Sequence, residues 1–398
     1  MKFWSTILFV ITFKTTLGVL SPYKDSIKKK TITFYSNNHV SINSTHIPLN
    51  FFKKLYMGGV IEEKDMGMTE KLNRNNNSGF ELDFSLGLKI LSKEKLSGWY
   101  INFQNLSTGG AKYSQDLFNL IFIGNKNILN PINLNSTSFH FRKHEIFHIG
   151  LIQKNINFGM SFGNIINEFQ GEFSEGDYMN FYSPYLWEFA LQPNFLILEN
   201  KPRSLIKNGN SIGFNFEYRS KNKTSENKKF NYTIGFNNLG LMIFHDYYEK
   251  YEIDTSFYYQ GFSIDEVSNI DSTILNYSTI IEPNTVNTNE VQMSPFFAYG
   301  EINYQIQNFN FFSNLMYRHK SQYLPKLNIG IEKKTSNKLV LGTSLSYGGY
   351  NKFQWGTNLI YSKNNINTII NIYNIIGLFP SIGKSLGLNI KIFWNLKK

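Results

Sequence analysis

The chain contains no cysteine, and this absence removes several classes of protein at once. Without thiols there is no disulfide framework, no thiolate metal site and no cysteine nucleophile. A lipoprotein anchor is excluded as well, because it needs an acylated cysteine. Any chemistry in this protein must come from other side chains.

Long apolar runs are also missing. The most apolar stretch, Phe3–Phe13, follows Lys2 and precedes small and polar residues up to Gly18. It is shorter than the ~18 residues of a transmembrane helix, and its flanks are typical of a secretory signal peptide. We therefore predict a cleaved signal over residues 1–18. No other stretch is long enough for a membrane helix, so insertion into a membrane would require a closed β-barrel.

Charge is scarce and biased in sign. Charged residues make up 17% of the chain, against roughly a quarter in soluble domains, and the net charge is +11. The lysines are scattered through turns and polar strand positions, and no helix presents a basic face, which argues against a nucleic-acid partner. A lumen and loops that attract anions explain the charge better, although solubility alone is a second explanation.

The segment Phe80–Ile90 alternates apolar and polar residues without a break. A β-strand sends successive side chains to opposite faces, so one face of this segment is apolar and the other polar. Its length matches the roughly nine to eleven residues with which a tilted strand crosses a bilayer. Ser211–Arg219 and Leu386–Trp394 repeat the pattern. Aromatic residues reach 16%, but an AT-rich genome would also enrich them, so the alternation carries the argument.

These strands predict an all-β fold, an antiparallel transmembrane β-barrel of about 14 strands, with 12 to 16 allowed. We predict a barrel over residues 79–398. Residues 19–78 are predicted to form a lead and an N-terminal rim or plug element, although Thr31–Ile47 alternates weakly. Ser114 as N-cap and Asp116 in the first turn predict a short rim helix over Ser114–Ile123. Leu134–Lys143 and Glu145–Lys154 are interpreted as a hairpin.

Several short runs resemble a family of uncharacterised outer-membrane proteins of Bacteroidota that carries a domain of unknown function. That family is similar in layout to the long-chain fatty-acid transporter barrels. The resemblance implies a barrel in the outer membrane and supplies no catalytic residues. The runs that carry it are Phe80–Ile90, Asp116–Phe118 with Gly124 and Asn125 after it, Gly261–Ser263, Ser294–Pro295 and Tyr304–Ile306.

If the apolar faces meet lipid, the charged residues between them must point into the barrel. There they line a passage or pair with one another in a plug, and the sequence leaves both options open. The candidates for the lumen are Glu81, Asp83, Lys89, Glu217, Arg219 and Lys391.

The sequence predicts no catalytic residues and no cofactor. His140, His144 and His148 share strand parity and are weak candidates for metal ligands, but a turn at Lys143–Glu145 would break their common face. His245 and Asp246 find no serine partner in a matching pattern. The acidic loops around Gly176 and Asp265 do not match an EF-hand spacing and are interpreted as solvated.

We predict an exported, non-enzymatic barrel of the outer membrane that is a passive or ligand-gated conduit for small solutes, with hydrophobic solutes as one option. Outer-membrane lipid is the expected partner, with lipopolysaccharide or other outer-membrane proteins as further options. The alternative is a plugged accessory subunit of an export or assembly complex, because Tyr178–Leu198 and Ser263–Ser294 would suit a partner. A surface enzyme and a secreted soluble β-sandwich or solenoid are less favoured readings.

Overall fold

The structure is a computed structural model. It describes residues 31–66, 76–92, 97–124, 131–135, 137–182, 187–191, 194–198, 209–220, 223–225, 228–244, 248–252, 255–259, 284–286 and 290–397. The predicted signal peptide and most of the predicted loop Ser263–Ser294 lie outside these ranges. Within them, no helix has the length and hydropathy needed to cross a bilayer.

Fourteen antiparallel strands close into a barrel, as the alternation predicted. Strands that follow one another in the barrel are hydrogen-bonded neighbours, and the last strand pairs with the first from Asn43–Ser385 to Thr31–Lys397. The strands are β1 (Thr31–Ser44), β2 (Asn76–Leu91), β3 (Ser97–Tyr113), β4 (Ser138–Gln153), β5 (Ile156–Glu172), β6 (Gly209–Arg219), β7 (Lys228–Phe244), β8 (Phe297–Ile306), β9 (Phe309–Arg318), β10 (Leu324–Lys334), β11 (Leu339–Gly349), β12 (Asn351–Lys363), β13 (Ile366–Ile372) and β14 (Ser385–Lys397).

The strands keep their polar residues inside the barrel and their apolar residues outside. On β2, Glu81, Asp83 and Ser85 are buried in the interior, whereas Leu86 on the opposite face is 48% exposed. On β4, buried His148 lies between exposed outward residues in the same way. This is the reverse of a soluble protein, whose apolar residues are mostly buried.

The two ends of the barrel differ. At one end, here called the short-turn end, tight turns join the strands, and the residues at positive φ include Lys154 (52°), Gln307 (50°) and Asn364 (53°). Thr31 and Lys397, the first and last described residues, lie at this end. The opposite end, the long-loop end, carries the connections 45–75, 114–137, 173–208 and 245–296.

Three helices cover part of the long-loop end: α1 (Leu49–Met57), α2 (Glu63–Met66) and α3 (Gln115–Phe122). The predicted rim helix is α3, whose first turn is capped where the backbone N–H of Leu117 donates to Ser114 Oγ at 3.1 Å. The helices meet in a small hydrophobic cluster of Ile47, Phe51, Met66 and Phe118. A 3₁₀ helix, Ile375–Leu378, precedes β14.

Short strands outside the fourteen complete the described fold. Four of them form a separate sheet: Ile132–Asn133, Tyr178–Phe181, Trp187–Leu191 and Thr255–Tyr259. The others extend the barrel sheet: Asn194–Leu198, Lys223–Ser225, Tyr248–Glu252, Asn284–Val286 and Glu290–Met293.

Two sequence predictions about strands are corrected. Thr31–Ser44 is a barrel strand rather than part of a rim or plug element, so the barrel begins well before residue 79. Its alternation is weak because Ser36 and Asn38 occupy outward positions. The predicted hairpin at Lys143–Glu145 is wrong as well: Ser138–Gln153 is one continuous strand, with a β-bulge between Lys143 and His144 in its pairing with β5.

Candidate functional site

The barrel encloses a cavity of ≈ 310 Å³, and this cavity is the candidate functional site. Five of the six predicted lumen residues line it, and the sixth, Arg219, lies beside it in an ion pair of 2.7 Å with Glu217 Oε1. The five are Glu81, Asp83 and Lys89 on β2, Glu217 on β6 and Lys391 on β14. All five have the inward parity of their strands, which every second residue of a strand shares.

Inward tyrosine rings lie against inward glycines and give the cavity part of its wall. Tyr35 on β1 stands directly opposite Gly87 on β2, where an added Cβ would lie 2.0 Å from the ring. Tyr100 likewise lies over Gly150 on the next strand, at 2.4 Å from the position of an added Cβ. Glycine at these positions is a steric requirement of the lumen, because the neighbouring ring occupies the space of a side chain.

An ion pair crosses the barrel. Arg318 Nη2 on β9 donates to Glu81 Oε1 on β2 at 2.5 Å. These strands are seven apart in either direction around the ring of fourteen, so the contact spans the diameter of the lumen. His39 Nε2 lies 3.4 Å from Glu81 Oε2. Glu81 is 6% exposed, so its charge is compensated by partners rather than by bulk water.

The residues after Arg318 also turn into the lumen, and we name 319–323 the constriction segment. Arg142 on β4 donates to the carbonyl oxygen of Lys320 and, at 2.5 Å, to Glu168 Oε1. Gln322 Nε2 donates to Ser138 Oγ at 3.2 Å, and its Oε1 lies in hydrogen-bond contact with His140. The segment is thereby tied to β4, five strands from the strand that it leaves.

Tyr350, in the connection between β11 and β12, adds to this constriction. Its ring occupies the space beside Gly79 and Gly110, and it meets the ring of Tyr323 edge-on at 5.2 Å. Burial raises the pKa of Tyr350 to about 12. Burial, together with the charges of Lys320 and Arg142, lowers the pKa of His319. Both effects favour neutral side chains at the constriction.

A chain of polar contacts runs along the wall beside the ion pair. Gln104 Nε2 donates to Asp83 Oδ1 at 2.7 Å, and Gln104 Oε1 lies 3.0 Å from His148 Nε2. His148 Nδ1 in turn lies 3.0 Å from the amide of Asn215, whose Oδ1 accepts from the backbone N–H of Asn238 at 2.8 Å. These side chains satisfy one another's hydrogen-bonding groups, and the network fixes their positions in the wall.

Glu217 is the centre of a second polar group, nearer the short-turn end. Its Oε1 accepts from Asn157 Nδ2 at 2.7 Å and from Arg219 Nε at 2.8 Å, and its Oε2 accepts from Tyr299 OH at 2.6 Å. All of these residues share the inward parity of their strands. Glu217 and Arg219 thus pair with each other while Glu217 still borders the cavity.

His140, His144 and His148 do face the same side of β4, contrary to the predicted turn. They nevertheless have separate partners: Gln322 for His140, Glu168 Oε2 at 3.2 Å for His144, and the amide chain for His148. Among the described residues, no group of three or more histidine and carboxylate side chains could hold a metal ion.

The acidic loop around Gly176 closes on itself. Asp177 Oδ2 accepts from the backbone N–H of Ser174 at 2.6 Å, and the backbone N–H of Gly176 donates to Asn135 Oδ1 at 3.1 Å. The second acidic loop, with Asp265, Glu266 and Asp271, lies outside the described residues, as do His245 and Asp246.

Sequence reasoning missed Arg318, His39 and Tyr350. Arg318 ends a predicted strand on the inward parity, so alternation could have placed it in the lumen. Its partner is 237 residues away in the chain, and only the closed ring brings the two together.

No family model matches the chain, and no curated protein matches it. Among solved structures it is similar to a deletion mutant of the monoaromatic hydrocarbon channel TodX (TM-score 0.44, 10% identity, 98% of this chain and 94% of the other covered). It is also similar to a FadL homologue from Pseudomonas aeruginosa (0.41, 8%, 93% and 90%) and to the toluene transporter TodX of P. putida (0.38, 8%, 94% and 91%). At TM-scores below 0.5, these similarities carry no information about the solute of this chain.

Proposed function

We propose that this protein is an integral outer-membrane β-barrel that conducts small solutes through its lumen and is closed in the conformation described. Export through a cleaved N-terminal signal, over residues 1–18, belongs to the same proposal. Assignment to the Bacteroidota family also remains a proposal.

The outward surface supports the membrane location. Large apolar side chains are exposed on strands all around the ring. Examples, each 44–57% exposed, are Phe34, Phe147, Phe214, Leu315 and Trp355. A closed barrel leaves no unpaired strand edge, so its backbone is satisfied in lipid. In such barrels the short turns face the periplasm and the long loops face outward, which would place α1, α2 and α3 on the cell surface.

The observation that carries the conduit is the way the lumen is closed. The ion pair of Arg318 with Glu81 and the polar contacts of the constriction segment cross the lumen on its long-loop side. Within the described part of the chain, the side chains that make these contacts are polar or charged. Polar contacts of this kind can exchange for water and solute, whereas a packed apolar core cannot. Tyrosine rings on the wall would also provide contacts for an apolar part of a solute.

Flux through reconstituted liposomes tests this function. Heat-modifiable migration on a denaturing gel first establishes that each variant has folded as a barrel. Replacing both Glu81→Ala and Arg318→Ala removes the ion pair without leaving one buried charge alone, so we expect efflux of small solutes to rise about tenfold over the unmodified protein.

The control is Lys338→Gln, in an exposed turn at the short-turn end, which should leave the flux unchanged. Folded wild-type and double-variant barrels that are both impermeable to charged, polar and apolar solutes would contradict the conduit and favour a plugged accessory subunit.

A further inference from the structure

The charges that border the cavity are unevenly distributed in sign. Cationic side chains outnumber carboxylates among its lining residues. The cations are Lys89, Arg142, Arg318, Lys326 and Lys391, and the carboxylates are Glu81, Asp83 and Glu217.

Both arginines have carboxylate partners. Arg318 is paired with Glu81 at 2.5 Å, and Arg142 is paired at 2.5 Å with Glu168, which lies outside the cavity lining. Glu217 is paired with Arg219. Asp83 accepts a hydrogen bond from the neutral Gln104 and has no arginine partner among the described residues. Three lysines therefore remain against one lining carboxylate, an excess of two positive charges.

None of the three lysines forms an ion pair within the described part of the chain. Lys326 is 8% exposed, and its ammonium group donates to the neutral Gln354 Oε1 at 2.5 Å and lies 5.2 Å from the centre of the Tyr373 ring. For Lys89 and Lys391, the described residues supply neither a hydrogen bond nor a carboxylate within 4 Å. Both side chains border the cavity.

The lysines are spread along the lumen. Lys391 pairs in register with Asn37, and Asn37 pairs with Ser85, so Lys89 lies four residues farther toward the short-turn end of β2. Four residues of a strand span roughly 13 Å. Lys326 lies on β10, near the ion pair of Arg318 with Glu81. The three lysines therefore place positive charge along the lumen from the constriction segment toward the short-turn end.

An ammonium group removed from bulk water is costly unless an opposite charge compensates it. The one lining carboxylate that no arginine uses, Asp83, can balance at most one of the three lysines. We propose that mobile anions fill this role, so that the cavity is an anion-binding site and the conduit selects small anions over cations. This inference rests on the proposed function and adds the class of solute to it.

Ion selectivity in a planar bilayer tests the inference. The Glu81→Ala and Arg318→Ala background is used, because it removes one charge of each sign and opens the lumen. From reversal potentials in a potassium chloride gradient we expect chloride to be preferred over potassium about threefold or more. Adding Lys89→Gln, Lys326→Gln and Lys391→Gln should bring the ratio close to unity. A charge-matched control replaces the exposed Lys333, Lys338 and Lys363 by Gln and should retain the preference.

A second measurement does not depend on conduction. Millimolar inorganic phosphate should raise the temperature of the heat-modifiable transition in the wild-type barrel and leave the triple lysine variant unchanged, since a ligand stabilises the state that binds it. Stabilisation without conductance would support the anion site and overturn the conduit. Conductance without anion preference, or equal stabilisation of both proteins by phosphate, would overturn the anion site and leave the conduit intact.

Discussion

Only glycine fits at position 87, because the ring of Tyr35 occupies the space where a Cβ would lie. The two residues are directly opposite each other on β1 and β2, and the ring is 4% exposed and packs beside Phe393. The ring therefore has little freedom to move away. At this position, the apparent weakness of a glycine in a strand is what allows a tyrosine to fill the lumen.

We predict that Gly87→Ala destabilises the barrel by about 1–3 kcal/mol, the range of an overpacked interior. Urea unfolding in detergent, followed by gel migration, measures the change. Gly300→Ala is the matched control, because its added Cβ would meet no atom closer than 4.0 Å, and it should have little effect.

A double-mutant cycle with Tyr35→Ala gives the decisive comparison for this fit. In the absence of the ring, Gly87→Ala should cost much less than in the wild-type protein. An undiminished cost would show that the glycine is required for another reason.

At the same scale, the sequence indicates on which face of a strand a charged residue lies, but not which residue is its partner. Strict alternation was enough to direct Glu81, Asp83 and Lys391 inward. The contact of Glu81 with Arg318 depends on the curvature and closure of the whole sheet, which no local pattern encodes.

Among the elements, α1 and α2 are joined by one buried carboxylate. Asp65 is 2% exposed and accepts from Asn50 Nδ2 at 2.5 Å, from Lys54 Nζ at 2.5 Å and from the backbone N–H of Glu62 at 2.9 Å. The hydrogen bond from Lys54 is the main cause that lowers the pKa of Asp65.

This arrangement predicts a pH dependence for the helix pair. Because the folded pKa is depressed, the stabilisation is complete above the ordinary Asp pKa of about 3.9 and is lost as the pH falls through the lower folded value. Amide hydrogen exchange over Leu49–Met57, corrected for its intrinsic pH dependence, should show less protection at low pH. Asp65→Ala should show the same loss at neutral pH, whereas Glu62→Gln, at a side chain 48% exposed, should not. Protection that is independent of both pH and Asp65 would contradict this role.

Helices and strands could be predicted where the sequence signal lies within a few residues of the element. The N-cap Ser114 lies within one helical turn of Leu117, whose backbone N–H donates to it, and α3 was predicted correctly. The bulge between Lys143 and His144 is a feature of strand pairing, so a polar run on a continuous strand was mistaken for a turn.

For the whole molecule, the strand count and closure followed from repetition, whereas the position of the first strand did not. Thr31–Ser44 closes the ring by pairing with both β2 and β14, although its outward face includes Ser36 and Asn38. Pairing on both sides satisfies its backbone whatever the outward side chains are. The position of the constriction segment in the lumen could not be predicted either, because the sequence of a short connection does not indicate the direction in which it folds.

A cross-link across the barrel tests whether the contact between Glu81 and Arg318 closes the lumen. The chain has no native cysteine, so Glu81→Cys and Arg318→Cys provide the only two thiols. We predict that this variant conducts more than the wild-type protein in planar bilayers and that a short bifunctional maleimide returns its conductance to the wild-type level. A monofunctional maleimide of similar size should reduce it less. Conductance that equals the wild-type value before treatment, or that stays unchanged after cross-linking, would show that this contact does not close the lumen.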